Sequence, residues 1–120
     1  MTGHYLDNAA TTPVRAEAAQ AAVKAMTEEW GNPSARHALG CRAAEQVKQW
    51  RGEVAAGLGC MPEEVVFTSC GTESDNWAIR AAAELGKRKG KHIITTAIEH
   101  AAVLEPCRAL EREGYEVTYL

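Results

Sequence analysis

The sequence predicts an incomplete α/β fold, in which two helices precede a mostly parallel sheet. Two observations support this prediction. Short β-branched runs alternate with amphipathic helical patterns in the second half of the chain, as in β-α-β units. Two longer helical patterns come before them. With 120 residues, of which 46% are apolar, the chain has room for one domain at most.

The first half of the chain is predicted to hold the two helices. Thr12 and Pro13 are suited to be an N-cap and a first helical residue, and this helix should end near residue 30. The second helix is predicted for residues 39–58, because apolar residues recur there at spacings of three and four. Gly59 is placed to end it. The apolar stripe consists of Leu39, Ala43, Val47, Trp50, Val54 and Leu58.

Three strand candidates and two helices make up the second half. The strands are predicted for residues 64–68, 92–96 and 115–120, and the helices for residues 72–85 and 101–113. The inward face of the first of these helices is expected to be Trp77, Ala78, Ala81 and Leu85. Two helices cannot cover both faces of such a parallel sheet, and the last strand is apolar. We therefore expect the polypeptide to continue after Leu120; a small complete domain with an edge strand is the alternative.

Composition and charge argue against several classes of function. The net charge is −3 and no cluster of Lys and Arg alternates with aromatic residues, so nucleic-acid binding is not expected. No segment reaches the roughly 20 apolar residues of a membrane span, and the first residues do not resemble a signal peptide. We therefore expect a cytoplasmic protein that does not bind a membrane. The cysteines lack metal-ligand spacing, so free thiols and no metal site are expected: Cys41, Cys60, Cys70 and Cys107.

The segment from Ser69 to Ser74 joins a predicted strand to a predicted helix through a tight turn. The first N–H groups of a helix have no partner within the helix and carry a partial positive charge. Gly71 lets a ligand approach the backbone closely, and Thr72 and Ser74 supply hydroxyl donors. These features favour a phosphate site. An ordinary helix cap, formed by Ser69 or Thr72, explains the local pattern equally well.

His100 follows the second predicted strand, at the C-terminal end of that strand. Ligands of open α/β sheets bind beyond these ends, and the turn at Gly71 and Thr72 follows another strand at the same edge. A histidine in such a crevice can stack on a flat cofactor or transfer protons near neutral pH. A loop histidine is more often an ordinary surface residue, but the shared edge favours a functional one.

Four segments together resemble the class V aminotransferase family. They are Tyr5–Pro13, Gly31–Ser34 with His37, Phe67–Asn76 and Glu99–Leu104. The third resembles the phosphate loop of the family, and the fourth resembles the segment whose histidine stacks on the cofactor. The resemblance covers essentially the whole chain, and it is strongest to the cysteine desulfurase branch of NifS/IscS type.

This resemblance implies the fold-type I architecture of enzymes that use pyridoxal 5′-phosphate, whose large domain has three layers. Residues 1–59 would form the N-terminal strap and two helices of the small-domain and dimer region, and residues 60–120 the first β-α-β-α-β part of the large domain. The implied reaction converts L-cysteine to L-alanine and leaves a persulfide on an enzyme cysteine. The implied partners are a second subunit in a homodimer and a sulfur-acceptor or scaffold protein for iron–sulfur cluster and thio-cofactor assembly.

The same resemblance implies roles for individual residues. Gly71 and Thr72 would bind the phosphate of the cofactor. His100, the catalytic candidate, would stack on the pyridine ring and assist proton transfer. Three further residues would lie near the substrate or the partner subunit: Asn8, Ala9 and Asn32.

The chain also departs from the family pattern. None of its lysines has the sequence context of the lysine that carries the cofactor, and none of its cysteines matches the catalytic-cysteine loop. The chain alone is therefore expected to be inactive. Cys70 stands where the family usually has glycine, and it would be strained if the turn required a positive φ. The alternatives are another class V aminotransferase, a selenocysteine lyase-like enzyme, or a non-catalytic remnant with an anion-binding site.

Overall fold

The computed structural model describes residues 3–120, and this part of the chain contains four α-helices and one two-stranded sheet. The elements in chain order are α1 (Ala16–Thr27), α2 (Ala38–Leu58), a 3₁₀ helix (Pro62–Glu64), α3 (Gly71–Gly86), β1 (His92–Thr95), α4 (Ala101–Arg112) and β2 (Glu116–Tyr119). They form two compact units that divide between Val65 and Val66. Among residues 3–120, no helix combines the length and the apolar character that a membrane span requires.

In the first unit, α1 begins later than the sequence predicts. Its first residue is Ala16, and Arg15 before it is extended, with φ −63° and ψ 143°. Thr12 and Pro13 therefore do not begin the helix. No residue of α1 is buried, so packing does not stabilise an additional first turn, and the capping pattern alone is not sufficient.

The second helix, α2, forms over the predicted residues. Its N-cap is His37, whose Nδ1 accepts a hydrogen bond from the N–H of Gly40 at 3.3 Å. Gly59 ends the helix in the left-handed conformation, with φ 70°, as predicted. The predicted apolar stripe is only partly covered, because Ala43 is buried whereas Leu58 is 72% exposed.

In the second unit, β1 and β2 form a parallel pair in which His92 lies opposite Glu116. The helix between them, α4, packs against α3 and β2. Gly114, with φ 87°, makes the turn into β2. The buried face of α4 supplies most of the core of this unit: Ala102, Pro106, Cys107 and Leu110.

The first predicted strand, residues 64–68, does not form. The 3₁₀ helix ends at Glu64, and the residues from Val65 onward are extended or irregular without a ladder. A β-branched run becomes a strand only when a neighbouring strand exchanges backbone hydrogen bonds with it. Among residues 3–120, β1 and β2 pair only with each other. The second unit is therefore α-β-α-β, and the predicted β-α-β-α-β order was wrong in its first element.

The inward face predicted for α3 was also wrong. Trp77 is 54% exposed and Leu85 is 84% exposed. The side of the helix that packs on α4 carries Asn76 and the buried Ala83, whose carbonyl accepts a hydrogen bond from the Tyr115 hydroxyl at 2.9 Å. Periodicity identifies an apolar face, but it does not determine which layer covers that face.

Candidate functional site

The candidate site begins at the first residue of α3. Cys70 is the N-cap, and Gly71 is the first helical residue. Gly71 does not have a positive φ, so the backbone conformation does not require glycine there. A Cβ at this position would meet no atom within 4 Å beyond its chain neighbours and its own helix backbone. The backbone therefore faces open space, and a ligand can approach the first N–H groups of α3.

Two side-chain hydroxyls close the turn before α3. The Oγ1 of Thr68 and the Oγ of Ser74 lie 2.6 Å apart. Both also lie within hydrogen-bond distance of the Cys70 carbonyl, at 3.2 Å and 3.3 Å respectively. The hydroxyl of Ser74, predicted to be a ligand donor, is thus bonded within the turn itself.

Glu73 folds back onto the same turn. Its Oε2 accepts hydrogen bonds from the backbone N–H of Ser69 at 2.7 Å and from the Ser69 hydroxyl at 2.8 Å. These two bonds, the backbone one first, lower the pKa of Glu73. The ordinary cap predicted at Ser69 or Thr72 does not form, because the N-cap is Cys70 and it makes no side-chain cap hydrogen bond. Ser69 and Glu73 close the turn instead.

The pKa of the Cys70 thiol indicates that the beginning of α3 favours a negative charge. This pKa is lowered, first by the backbone N–H of Glu73 and then by the Ser69 hydroxyl, with contributions from the N–H and the hydroxyl of Thr72. Cys70 itself is extended, with φ −168°, so it occupies the family's glycine position without strain. Donors that favour a thiolate also favour another anion at the same place. This property fits a phosphate group.

His100 is the N-cap of α4. Its Nδ1 accepts a hydrogen bond from the N–H of Ala102 at 3.1 Å. This bond orients the imidazole ring and leaves Nε2 as the nitrogen that can meet a ligand. The residue is exposed. Histidine is not among the usual capping residues, so the sequence did not indicate this role.

Asn76 connects the two helix beginnings, a role that the sequence did not indicate. Its Nδ2 donates to the carbonyl of Thr72 at 2.9 Å and to the carbonyl of Ala102 at 3.3 Å. Thr72 lies in the first turn of α3, and Ala102 lies in the first turn of α4. The structure therefore places Gly71, Thr72 and His100 at neighbouring helix beginnings in the second unit.

Asn8 and Ala9 belong to the first unit. They lie in an exposed turn. The Tyr5 hydroxyl lies within hydrogen-bond distance of two carbonyl oxygens of this segment, those of Asp7 at 2.7 Å and Thr11 at 3.1 Å, and has one proton to donate. The position of Asn8 and Ala9 near a substrate or a second subunit stays a prediction.

Asn32 also belongs to the first unit, and its side chain makes a hydrogen bond within its own turn. Its Oδ1 accepts a hydrogen bond from the N–H of Ser34 at 2.9 Å. The loop that follows is tight, because a Cβ at Gly40 would lie 2.2 Å from the Ala35 carbonyl oxygen. The role of Asn32 near the substrate stays a prediction.

Comparison with known families adds to this geometry. The family model described as aminotransferase class-V matches residues 4–120. The chain belongs to the class-V aminotransferase family. This membership confirms the resemblance of the sequence motifs, and the pyridoxal phosphate chemistry of the family is implied by it.

The named proteins that the chain resembles include cysteine desulfurases. Cysteine desulfurase IscS of Methanosarcina thermophila is 51% identical over 116 residues, which are 97% of this chain and 29% of that protein. A solved structure named NifS-like protein is 40% identical with a TM-score of 0.84, and the match covers 95% of this chain and 31% of that one. A structure of SspA in complex with cysteine is also 40% identical, with a TM-score of 0.82 over 97% of this chain and 33% of that one.

These comparisons establish the fold and the extent of the match. The α/β fold class of the NifS/IscS-type enzymes is confirmed, with the parallel pair of β1 and β2 as its sheet in the described residues. The chain spans only 29% of the length of the curated relative from Methanosarcina thermophila.

Proposed function

We propose that this chain is the N-terminal part of a pyridoxal-phosphate-dependent cysteine desulfurase. The whole enzyme would convert L-cysteine to L-alanine and donate sulfur to iron–sulfur cluster and thio-cofactor assembly. The identity of 51% to a cysteine desulfurase supports the reaction. The beginning of α3 supports the cofactor, because its donors lower the pKa of Cys70 and so favour negative charge there. The identity to a cysteine desulfurase over 97% of this chain carries the proposal, and the open space at the beginning of α3 adds a place for the phosphate.

Gly71 and Thr72 would hold the phosphate of the cofactor. Open space at Gly71 lets a phosphate oxygen reach the first N–H groups of α3, where the helix dipole favours an anion. The Thr72 hydroxyl adds a donor. The carboxylate of Glu73 is held by Ser69, on the turn itself. When bound, pyridoxal phosphate supplies the electron-withdrawing ring that this class of chemistry requires.

His100 would contact the ring and exchange protons. Its Nδ1 accepts the N–H of Ala102, so the neutral imidazole carries its proton on Nε2, which would donate a hydrogen bond toward the ligand. A second proton would bind Nδ1 and break the bond to Ala102. The same hydrogen bond limits rotation of the imidazole, which favours a fixed stacking geometry. The residue would therefore act as both a platform and a proton carrier.

Other parts of the enzyme would complete the site. The lysine that carries the cofactor and the cysteine that accepts sulfur would lie outside these 120 residues, because none of the lysines or cysteines present has the family's context. Residues 1–59 would belong to the small-domain and dimer region, with Asn8, Ala9 and Asn32 near the substrate or the second subunit. Residues 60–120 would belong to the large domain. The enzyme would be cytoplasmic and would pass sulfur to an acceptor or scaffold protein.

The cofactor site can be tested through the Cys70 thiol. Pyridoxamine 5′-phosphate has the ring and phosphate of the cofactor but no aldehyde that could react with lysines. We expect it to slow alkylation of Cys70 by iodoacetamide, because the phosphate and the thiolate compete for the same donors. Cys41, which is also exposed but lies in the first unit, is the internal control and should react at an unchanged rate.

Two further results sharpen this test. Pyridoxamine without phosphate should not protect Cys70, and Thr72→Val should abolish protection by the phosphorylated compound. If Cys70 reacts equally fast with and without pyridoxamine 5′-phosphate, the phosphate site is wrong.

The reaction is tested with the uninterrupted reading frame that contains these residues. With pyridoxal phosphate, L-cysteine and dithiothreitol, which reduces the persulfide on the enzyme cysteine and so releases its outer sulfur as sulfide, the encoded protein should form alanine and sulfide. The 120-residue chain should form sulfide no faster than free cofactor does under the same conditions. Conversion of L-selenocysteine without conversion of L-cysteine would instead assign a selenocysteine lyase.

A further inference from the structure

We propose that Asn76 is a positioning residue that fixes Thr72 relative to His100, so that the site selects a ligand with both a phosphate and an aromatic ring. The inference rests on the proposed function, in which these two residues hold opposite ends of one cofactor. Asn76 would not touch the ligand. It would act through the two helix beginnings that it joins.

The two N–H groups of the Asn76 amide serve two different helices. One bond goes to the carbonyl of Thr72, in the same helix, at 2.9 Å, and the other crosses to the carbonyl of Ala102 at 3.3 Å. A side-chain amide has two donor hydrogens, so one nitrogen can supply both bonds. Asn76 is itself only partly exposed, where a hydrogen bond is less weakened by water than at the open surface.

Pro106 explains why the Ala102 carbonyl is available to α3. In a regular helix this carbonyl would accept a hydrogen bond from the N–H of the residue four positions later, which here is Pro106. Proline has no N–H, so the internal bond cannot form. Ala102 is only 5% exposed, and a buried carbonyl without a donor is costly. The amide of Asn76 supplies a donor from the neighbouring helix.

The same residue, Ala102, is bonded to His100 on its other side. Its N–H donates to the Nδ1 of His100 at 3.1 Å. A continuous path of hydrogen bonds thus runs from the Thr72 carbonyl through Asn76 to Ala102 and on to the imidazole ring. Loss of Asn76 breaks the only part of this path that crosses between α3 and α4.

This path predicts a difference between two kinds of ligand. Inorganic phosphate needs only the beginning of α3, so it should not depend on where His100 lies. Pyridoxamine 5′-phosphate would contact both Thr72 and His100, so its affinity should depend on their separation. A role of Asn76 in stability alone would change both affinities equally.

The first experiment measures the protection of Cys70 by each of these two compounds. In Asn76→Ala, we expect the affinity for pyridoxamine 5′-phosphate to fall about tenfold and that for inorganic phosphate to change less than about twofold. Gln49→Ala removes an exposed helical amide in the first unit and should change neither value. Equal losses for both compounds in Asn76→Ala would overturn the positioning role.

The second experiment needs no ligand. Backbone hydrogen exchange at Ala102, Val103 and Leu104 reports the opening of the first turn of α4. Asn76→Ala should accelerate this exchange about fivefold, the change expected for loss of one hydrogen bond of average strength. Unchanged exchange would overturn the inference, because it would show that the hydrogen bond from Asn76 to Ala102 does not stabilise the first turn of α4.

Pro106→Ala separates two effects of the hydrogen bond between Asn76 and Ala102: the bond supplies a donor to the Ala102 carbonyl, and it positions α4 relative to α3. The substitution gives residue 106 an N–H for the Ala102 carbonyl, so Asn76→Ala in this background should accelerate exchange by less than about twofold. The tenfold loss of pyridoxamine 5′-phosphate affinity should remain, because the Ala102 carbonyl then has a donor within α4 but no hydrogen bond joins α4 to α3 at this point. If both the slow hydrogen exchange and the affinity for pyridoxamine 5′-phosphate recover, the only role of Asn76 is to supply a donor to the Ala102 carbonyl. That result would overturn the positioning role.

These measurements distinguish the inference from the proposed function. If pyridoxamine 5′-phosphate fails to protect Cys70 in the unaltered chain, the assignment of the cofactor site is wrong. The proposal that Asn76 helps to select the ligand is then wrong as well. If protection is normal in the unaltered chain and in Asn76→Ala alike, the function stands and the positioning role is wrong.

Discussion

Two cysteines of the second unit show how backbone position determines side-chain chemistry. The pKa of Cys70 is lowered because N–H groups at the beginning of α3 face its sulfur. The pKa of Cys107 is raised, mainly because the thiol is buried in the core and secondarily because Glu111 is near. The same residue type is therefore expected to be reactive at one position and inert at the other.

The lowered pKa predicts the pH dependence of Cys70 alkylation. A lower pKa keeps the thiolate populated at lower pH, so the midpoint of the rate–pH curve should lie below that of the same chain unfolded in urea. Ser69→Ala removes the second largest cause and should move the midpoint part of the way back. Mass spectrometry of the alkylated peptides measures both curves. A midpoint that does not change on unfolding would contradict the role of the helix N–H groups.

Helix α2 shows that glycines within one element can have opposite effects. A Cβ at Gly40 would lie 2.2 Å from the carbonyl oxygen of Ala35, whereas a Cβ at Gly52 would meet nothing within 4 Å. The first glycine allows the loop after Asn32 to pack on the beginning of the helix. The second only adds backbone freedom that the helix must lose when it forms.

Substitution of these two glycines by alanine should therefore change stability in opposite directions. Gly40→Ala should lower the free energy of unfolding by about 1–3 kcal/mol, because the loop backbone must move. Gly52→Ala should raise it by about 0.5–1 kcal/mol, the difference in helix propensity between glycine and alanine. Urea denaturation followed by circular dichroism measures both. Equal effects of the two substitutions would show that the packing of Gly40 is not a constraint.

Across the whole molecule, much apolar surface is exposed. Large apolar side chains with more than half of their surface exposed occur in both units, and they include Val14, Met26, Leu58, Trp77, Leu85, Ile98 and Leu120. Contiguous exposed apolar surface usually marks a contact with another layer or another protein. The chain spans 29% of the length of a curated relative.

The exposed face of α3 should bind a hydrophobic dye. Leu85 is 84% exposed, so Leu85→Lys should reduce the fluorescence of bound 8-anilinonaphthalene-1-sulfonate. Its effect on the free energy of unfolding should stay within about 0.5 kcal/mol, because no packing is lost. Leu58→Lys in α2 is a matched control in the other unit, because Leu58 is also largely exposed, at 72%. Dye binding that responds equally to both changes would show that the face of α3 is not a specific site.

The sequence by itself determined the elements whose signals are local. Apolar spacing and Gly59 located α2 closely, and the β-branched runs located β1 and β2. The ordered motifs also determined the family, which the match over residues 4–120 confirmed. Each of these signals is a short run of residues within a few positions of one another, so one sequence is enough to identify it.

Only the tertiary structure decided the features that need a distant partner. Residues 64–68 have the composition of a strand but lack a paired neighbour in the described chain, and α3 buries Ala83 while Trp77 and Leu85 stay exposed. The contact of Asn76 with Ala102 joins residues 26 positions apart, at a carbonyl that Pro106 leaves without its usual donor. Such hydrogen bonds depend on which helix faces packing brings together, and local pattern does not specify that choice.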